Sequence, residues 1–445
     1  MRVLVSTLIV SPTAAHGGPV IAARQASALA RLGIEVRTAA PVTEDAPESA
    51  AIERYSPASM RYGHFLDKRP DPQGLSALAG AIERFRPHVL YDVHGPLWAV
   101  DAAARSGVPV VSMVGDYGWF CRRIFLVDAW NRRCSGPESH AKCFACLNRT
   151  YSAKRRFANV ALKHAASLGV RAPKRADWRF ASFFLWEALQ EAEGYVASMR
   201  EKVDRFVVGD RQSRAFMLGH GIAEEKLHSI PQCLPEGALH VRRKPMGEDT
   251  PSTARPLKVA YVGRLQAEKG LHVLARAFDA VPDSVPIELW IIQSRLAWPG
   301  EIEPLFPDAA RFRAWLARGR IKLFRPATSE ELFELMASAD VGVIPSLAYE
   351  SPSLVLLEFV AQRTPIVRSE SAGMDHVIQD GVNGRTFPYG DWQALKAALM
   401  EILARPALLD AWRGKLPQIG SDEHYARELA DLFAQVIAAR GSGAA

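Results

Sequence analysis

The sequence predicts an α/β protein made of two Rossmann-like halves, each an open parallel sheet covered by helices, facing each other across an interdomain cleft. Three observations predict it. Apolar runs of four to six residues, rich in Val and Ile, alternate with segments of helical period from the first residues onward. A polar stretch rich in Pro, Gly, Ser and Thr interrupts that rhythm over residues 235–257. The alternation then restarts and runs for another 160 or so residues, on the order of one domain.

The first half, residues 1–234, opens with a strand at 3–10, a helix at 19–32 and a strand at 35–40, a βαβ unit. Strands at 88–93, 108–114 and 205–208 continue it. The opening run carries one basic residue and no small-residue cleavage site, so it reads as a buried strand and not as a signal peptide. The second half, residues 258–420, has strands at 257–262, 287–292, 321–324, 341–344 and 365–368, with helices at 270–280 and 330–339. Residues 421–445 begin with helical period. Ligands of such sheets bind beyond the carboxyl ends of the strands, which directs attention to the loops there.

Of the 445 residues, 48% are hydrophobic and 23% charged, which excludes an extensively disordered chain. Charged residues interrupt every apolar stretch before the length a spanning helix needs. The net charge of +7 points to an anionic partner. The chain reads as cytoplasmic, with a peripheral place on the inner membrane face as an option.

The strongest motif runs from Pro345 to Glu358. Ser351 suits an N-cap and Pro352 a first helical position, so a helix is expected to start there. Its free N–H groups, at Ser353 and Leu354 above all, suit a diphosphate. Glu350 lies just outside the helix and Glu358 two turns in, one carboxylate on each side of the phosphate site, each able to accept two hydroxyls. A second motif, Gly263-Arg264-Leu265 followed by Glu268-Lys269-Gly270, ends a strand with two cations suited to phosphate oxygens. In a third, His16-Gly17-Gly18, the glycines allow close backbone approach.

With these motifs the chain resembles the retaining nucleotide-sugar glycosyltransferases of family 4, which have the two-domain GT-B fold. The glutamate pair has that family's E-x7-E spacing, and Asp380-Gly381-Val382-Asn383-Gly384 is like its DGxNG turn. The resemblance implies that Arg264 and Lys269 hold the donor diphosphate, Glu350 the donor sugar hydroxyls and Glu358 the ribose. It also implies a nucleoside-diphosphate-sugar donor, no catalytic metal, an acceptor held mainly by the first domain, and a last helix that crosses back to that domain. The acceptor would be a glycan or a lipid-linked saccharide.

The chain departs from the family where members often carry His-Asp after a first-domain strand, because it reads Gly115-Asp116. His94 and Asp116, both at strand ends, are the candidates for that catalytic role beside Glu350. Phe359 stands where the family has a small residue, and Ala372-Gly373 where it has Gly-Gly.

Cys121, Cys134, Cys143 and Cys146 could bind one structural zinc, the last two forming a Cys-x2-Cys pair; packed reduced thiols are the alternative. Residues 149–186 interleave Lys and Arg with aromatic residues, suiting either an anionic membrane surface or a solvated basic helix. No recognised nucleic-acid module accompanies that charge, so nucleic acid is not expected as a partner. Two rival functions share the fold: a nucleotide-sugar epimerase or hydrolase, and a catalytically silent binding or scaffold protein.

Overall fold

The computed structural model describes residues 1–7, 17–41, 52–55, 72–170, 185–240, 255–293, 299–350, 353–370 and 375–442. The chain divides into two compact units. The first comprises Met1–Gly209, Ser213–Ile230 and Ala426–Ala445; the second comprises Asp210–Gln212 and Pro231–Tyr425.

The first unit holds a seven-stranded parallel sheet: β1 (Arg2–Ser6), β2 (Glu35–Pro41), β3 (Ile52–Tyr55), β4 (Val89–Asp92), β5 (Val110–Val114), β6 (Arg205–Val208) and β7 (Leu227–Ser229), in the order β3-β2-β1-β4-β5-β6-β7. Every residue of β4 and β5 is buried, as expected for strands covered on both faces. Leu90, Val110 and Phe206 pack there with Leu78, Trp98 and Met199 of the covering helices Pro72–Phe85, Leu97–Arg105 and Leu185–Lys202. The strand order reverses between β1 and β4, which places a topological switch point at their carboxyl ends.

The second unit repeats the scheme with six parallel strands: β8 (Leu257–Val262), β9 (Ile287–Ile292), β10 (Ile321–Phe324), β11 (Val341–Ile344), β12 (Ile366–Ser369) and β13 (Gly384–Phe387), in the order β10-β9-β8-β11-β12-β13. Its switch point falls between β8 and β11. Phe359 is fully buried on the helix Leu354–Ala361, and its ring occupies the space over β11 that a side chain at Gly342 would need, since a Cβ there would come within 2.9 Å of it. The departure at Phe359 is thus matched by the absence of a side chain across the contact.

Several boundaries differ from the sequence expectation. The first strand ends at Ser6, and β3, β7 and β13 were not anticipated because runs of three or four residues carry too little periodicity. The expected linker begins inside packed structure. Leu234 bridges to Ser421, Ala238 of the short helix Glu236–Leu239 is buried, and Gln362 donates to the Ala238 carbonyl at 2.8 Å. Most of the remaining linker, 241–254, lies outside the described residues. The last helix is Asp422–Ser442, and its residues from Ala426 onward belong to the first unit. There Phe433 lies against Tyr91 with ring centroids 5.4 Å apart, and Arg440 pairs with Asp204 at 2.9 Å.

The Asp380–Gly384 turn is structural. Asn383 accepts from the Gln379 amide and donates to the Val377 carbonyl, each at 2.8 Å, and Asp380 accepts from the Thr386 amide at 2.8 Å, holding the entry to β13. Ala372-Gly373 lies outside the described residues.

Candidate active site

In the second unit the loops after β8 and β11 are stitched together at the switch point. The Glu268 carbonyl accepts from the amides of Leu347 and Ala348 at 2.8 and 2.9 Å and from the Ser346 hydroxyl at 3.1 Å. Gly270 makes this approach possible. Its φ is +74°, and a Cβ there would run into the Pro345 carbonyl. The helix Leu271–Asp279 starts directly after it.

The stitch brings Lys269 Nζ to 2.7 Å from Glu350 Oε1, which also accepts from the Ser346 hydroxyl at 2.6 Å. Burial pushes the Glu350 carboxyl upward, but the charge and hydrogen bond of Lys269, with further bonds from Ser346 and Ser353, outweigh it and hold Glu350 below the ordinary carboxylate range. Tyr261 donates to the Arg264 carbonyl at 2.8 Å, fixing the backbone from which the Arg264 side chain departs. Both Glu350 and Arg264 act electrostatically on that phenol.

The helix begins later than expected. Ser353 is its N-cap and Leu354 its first residue, while Ser351 and Pro352 lie outside the described residues. Glu358 therefore stands five residues past the cap, about 500° around and roughly 7.5 Å along the axis, and not on the face of the cap itself. It is half-buried. Amides of the first helical turn, Leu354 among them, remain available to an anion because the Ser353 side chain makes no cap bond there.

In the first unit His94 follows β4 with φ +55°, a left-handed conformation uncommon outside glycine. Its Nδ1 lies 3.1 Å from Asp116 Oδ2, and Asp116 in turn accepts from the Gly118 amide at 2.7 Å. Two glycines make room for the ring. A Cβ on Gly115 would fall inside it, and one on Gly18, in the first turn of the helix Gly17–Arg31, would come within 2.8 Å of Cδ2. The imidazole thus occupies the space beside residue 115 itself. Burial pushes its pKa down, but Asp116, by charge and by hydrogen bond, together with Asp92 raises it above the ordinary imidazole value. Buried Asp92 accepts from the Ser112 hydroxyl at 2.9 Å and the Gly95 amide at 3.1 Å, yet burial dominates and raises it to about 6. His16 lies outside the described residues.

The residues that motif reasoning missed are Ser346, Tyr261, Asp92 and Ser112. A Ser four residues before Glu350 was a usable signal for Ser346; the other three sit within strands and look like core.

The expected zinc ligands lie close together in the first unit. Among the described residues no group of three or more His, Cys, Asp or Glu is arranged to hold a metal ion. Cys121, Cys134, Cys143 and Cys146 are free thiols. They lie near enough to influence one another, but Cys143 also packs against the apolar cluster of Phe144, Leu147, Leu185 and Leu189. Burial, with the neighbouring sulfurs, pushes its thiol up to about 11.

Two solved structures share this architecture along nearly the whole chain. Sucrose-phosphate synthase from Thermosynechococcus elongatus superposes with a TM-score of 0.62 at 17% identity, covering 98% of this chain and 99% of that one. HepE of Anabaena, in complex with UDP, gives 0.62 at 13%, covering 98% and 100%. The fold is therefore the two-domain GT-B fold of glycosyltransferases. Residues 256–405, within the second unit, match the family described as "Glycosyl transferases group 1". D-inositol 3-phosphate glycosyltransferase of Corynebacterium urealyticum is 32% identical over 186 residues, 39% of this chain and 42% of that protein. The chain spans about two fifths of the length of the curated relatives it matches.

Proposed function

We propose that the protein is a retaining glycosyltransferase that moves a sugar from a nucleoside-diphosphate donor to a glycan or lipid-linked acceptor. The observation that carries this reading is the Lys269–Glu350 pair, at the carboxyl ends of the two adjacent strands where the sheet reverses. Arg264 and Lys269 neutralise the departing diphosphate, and amides at Ser353 and Leu354 bind its oxygens. Glu350, kept ionised by Lys269, accepts hydroxyls of the donor sugar, and Glu358 accepts those of the ribose. The acceptor oxygen bonds to the anomeric carbon on the face the diphosphate leaves, the sugar–phosphate bond breaks with its electron pair going to the diphosphate, and a phosphate oxygen takes the hydroxyl proton. His94, oriented by Asp116, takes the first-domain histidine's place toward the sugar. The names of the relatives and the UDP held by HepE support a nucleotide-sugar donor.

The test is a donor screen by thermal shift, followed by product analysis with and without acceptor. Transfer only with acceptor supports the reading. Free sugar or an epimer as the sole product favours the epimerase or hydrolase, and donor binding without turnover the silent member. Glu350→Ala is expected to lower transfer at least tenfold while the chain stays folded; unchanged transfer removes Glu350 from the site.

A place at the inner face of a membrane is favoured by one feature. On the helix Ala153–Ser167 and just beyond it, Phe157 is 79% and Leu168 85% exposed, interleaved with Lys154, Arg155, Arg156 and Lys163. The rest of the basic stretch, 171–184, lies outside the described residues. No helix among the described residues is long and apolar enough to cross a membrane. Co-sedimentation with anionic but not neutral vesicles, lost in Phe157→Ser/Leu168→Ser, tests the assignment.

A further inference from the structure

A separate cavity of about 280 Å³ opens in the first unit, lined in part by Trp119, Phe120, Arg122, His140, Arg200 and His220. Its distinguishing feature is a pair of arginines with buried donors that have no hydrogen-bond partner. Arg122 is 94% buried, being only 6% exposed, and its Nη1 has no hydrogen-bond partner. Arg200 is half-buried, its guanidinium lies 4.7 Å from the centroid of the Phe120 ring, and its Nε is likewise without a partner. Glu193, on the same wall, acts on both and is already paired with His140 at 2.7 Å, while Glu201 acts on Arg200 as well. Two desolvated guanidiniums with donors left unbonded are an arrangement a folded chain keeps at a cost, because a buried charge without full pairing loses its hydration. A bound oxyanion would restore what is missing, and guanidinium forks match phosphate oxygens.

The geometry points to an anion site: we propose that this cavity binds a phosphate-class group, with Arg122 and Arg200 as its ligands and Trp119 and Phe120 as an apolar wall for what the phosphate carries. The cavity is slightly smaller than the roughly 300 Å³ lower bound of drug-sized sites, which suits one phosphorylated ring or chain end. In the transferase reading, on which this further step rests, the anion is a phosphate of the acceptor. The same chemistry can come from a sugar phosphate or from a lipid-linked phosphate.

The experiment uses the full chain and calorimetric titration with pyrophosphate, glucose 1-phosphate and farnesyl phosphate, each in the presence of saturating UDP so that the donor loops are filled. At least one probe is expected to bind, and Arg122→Met and Arg200→Gln are each expected to weaken it at least tenfold while UDP affinity is unchanged. Arg200 is half-buried, so its variant keeps the test valid if Arg122→Met does not fold. Probe binding that survives in a folded variant, or no probe binding at all, overturns the site. Farnesyl phosphate tighter than glucose 1-phosphate assigns the site to a lipid-linked phosphate, and the reverse to a sugar phosphate. Arginine-dependent phosphate binding in a chain that transfers no sugar leaves the anion site standing and removes the transferase reading; transfer without such binding does the opposite.

Discussion

The imidazole of His94 fills the space that a side chain on Gly115 would need, so the two positions are sterically coupled although they follow different strands. A histidine at 115 and the present placement of His94 exclude each other. Gly115→His is therefore expected to expel the His94 ring and to break its 3.1 Å bond to Asp116. Turnover should fall at least tenfold in Gly115→Ala as in Gly115→His, read by steady-state kinetics beside a melting curve; an active Gly115→Ala enzyme would show that the position of His94 is of no consequence.

The His94–Asp116 bond also sets a titration. Asp116 raises His94 above the ordinary imidazole value against the opposite push of burial, so the charged ring persists to higher pH in the wild type. Asp116→Asn should lower the midpoint of the His94 ring-proton shifts in NMR. The stability carried by this pair is present below pH 6.5 and is lost as pH rises through the elevated folded value.

Asp92 produces a pH dependence of stability in a different window. Its folded pKa is about 6 against 3.8 unfolded, so between those values the folded chain holds a proton that the unfolded chain has released. Stability should consequently decline from about pH 4 to pH 6, by on the order of 3 kcal/mol at full effect. Asp92→Asn should flatten that part of the difference between denaturation curves measured across the range. An unchanged slope would place the ionised carboxylate in a more favourable environment than its burial implies.

Gly270 is the backbone condition for the donor loops. Replacing it with Ala forces φ +74° on a residue with a Cβ and drives that atom into the Pro345 carbonyl. The cost should be about 2–4 kcal/mol in urea denaturation, with UDP affinity lost in parallel because Lys269 and Glu350 come apart.

Separating Lys269 from its partner should show coupling. Lys269→Met and Glu350→Gln each remove one member of a pair in which Lys269 is 25% and Glu350 10% exposed in its side chain. A double-mutant cycle on donor affinity should return an interaction of roughly 1–3 kcal/mol, and additive effects would mean the two act separately on the donor.

Much of this was legible in the sequence because it depends on short-range rules. The second unit's strands β8 to β11 begin and end where the apolar runs do. Lys269, Glu350 and Glu358 stand out because their spacing follows strand ends and a helix start. Boundaries were less legible. Ser351 and Ser353 are both acceptable caps by residue type, and only the packing of the helix, with Ser353 bonded to Glu350, selects the second. The Cys-x2-Cys spacing suggested a metal, but spacing along the chain does not dictate whether thiols converge on one point or pack against Phe144 and Leu189.

The sequence by itself determined the alternation that makes two parallel sheets and the turn chemistry at Gly270, since hydrophobic period and backbone freedom act over a few residues. Only the tertiary structure decided that His94 lies beside Gly115, that Lys269 meets Glu350, and that Arg122 and Arg200 line one cavity. Those groups are 21, 81 and 78 positions apart. What brings them together is strand order and loop stitching, and neither is written in any local pattern of the chain.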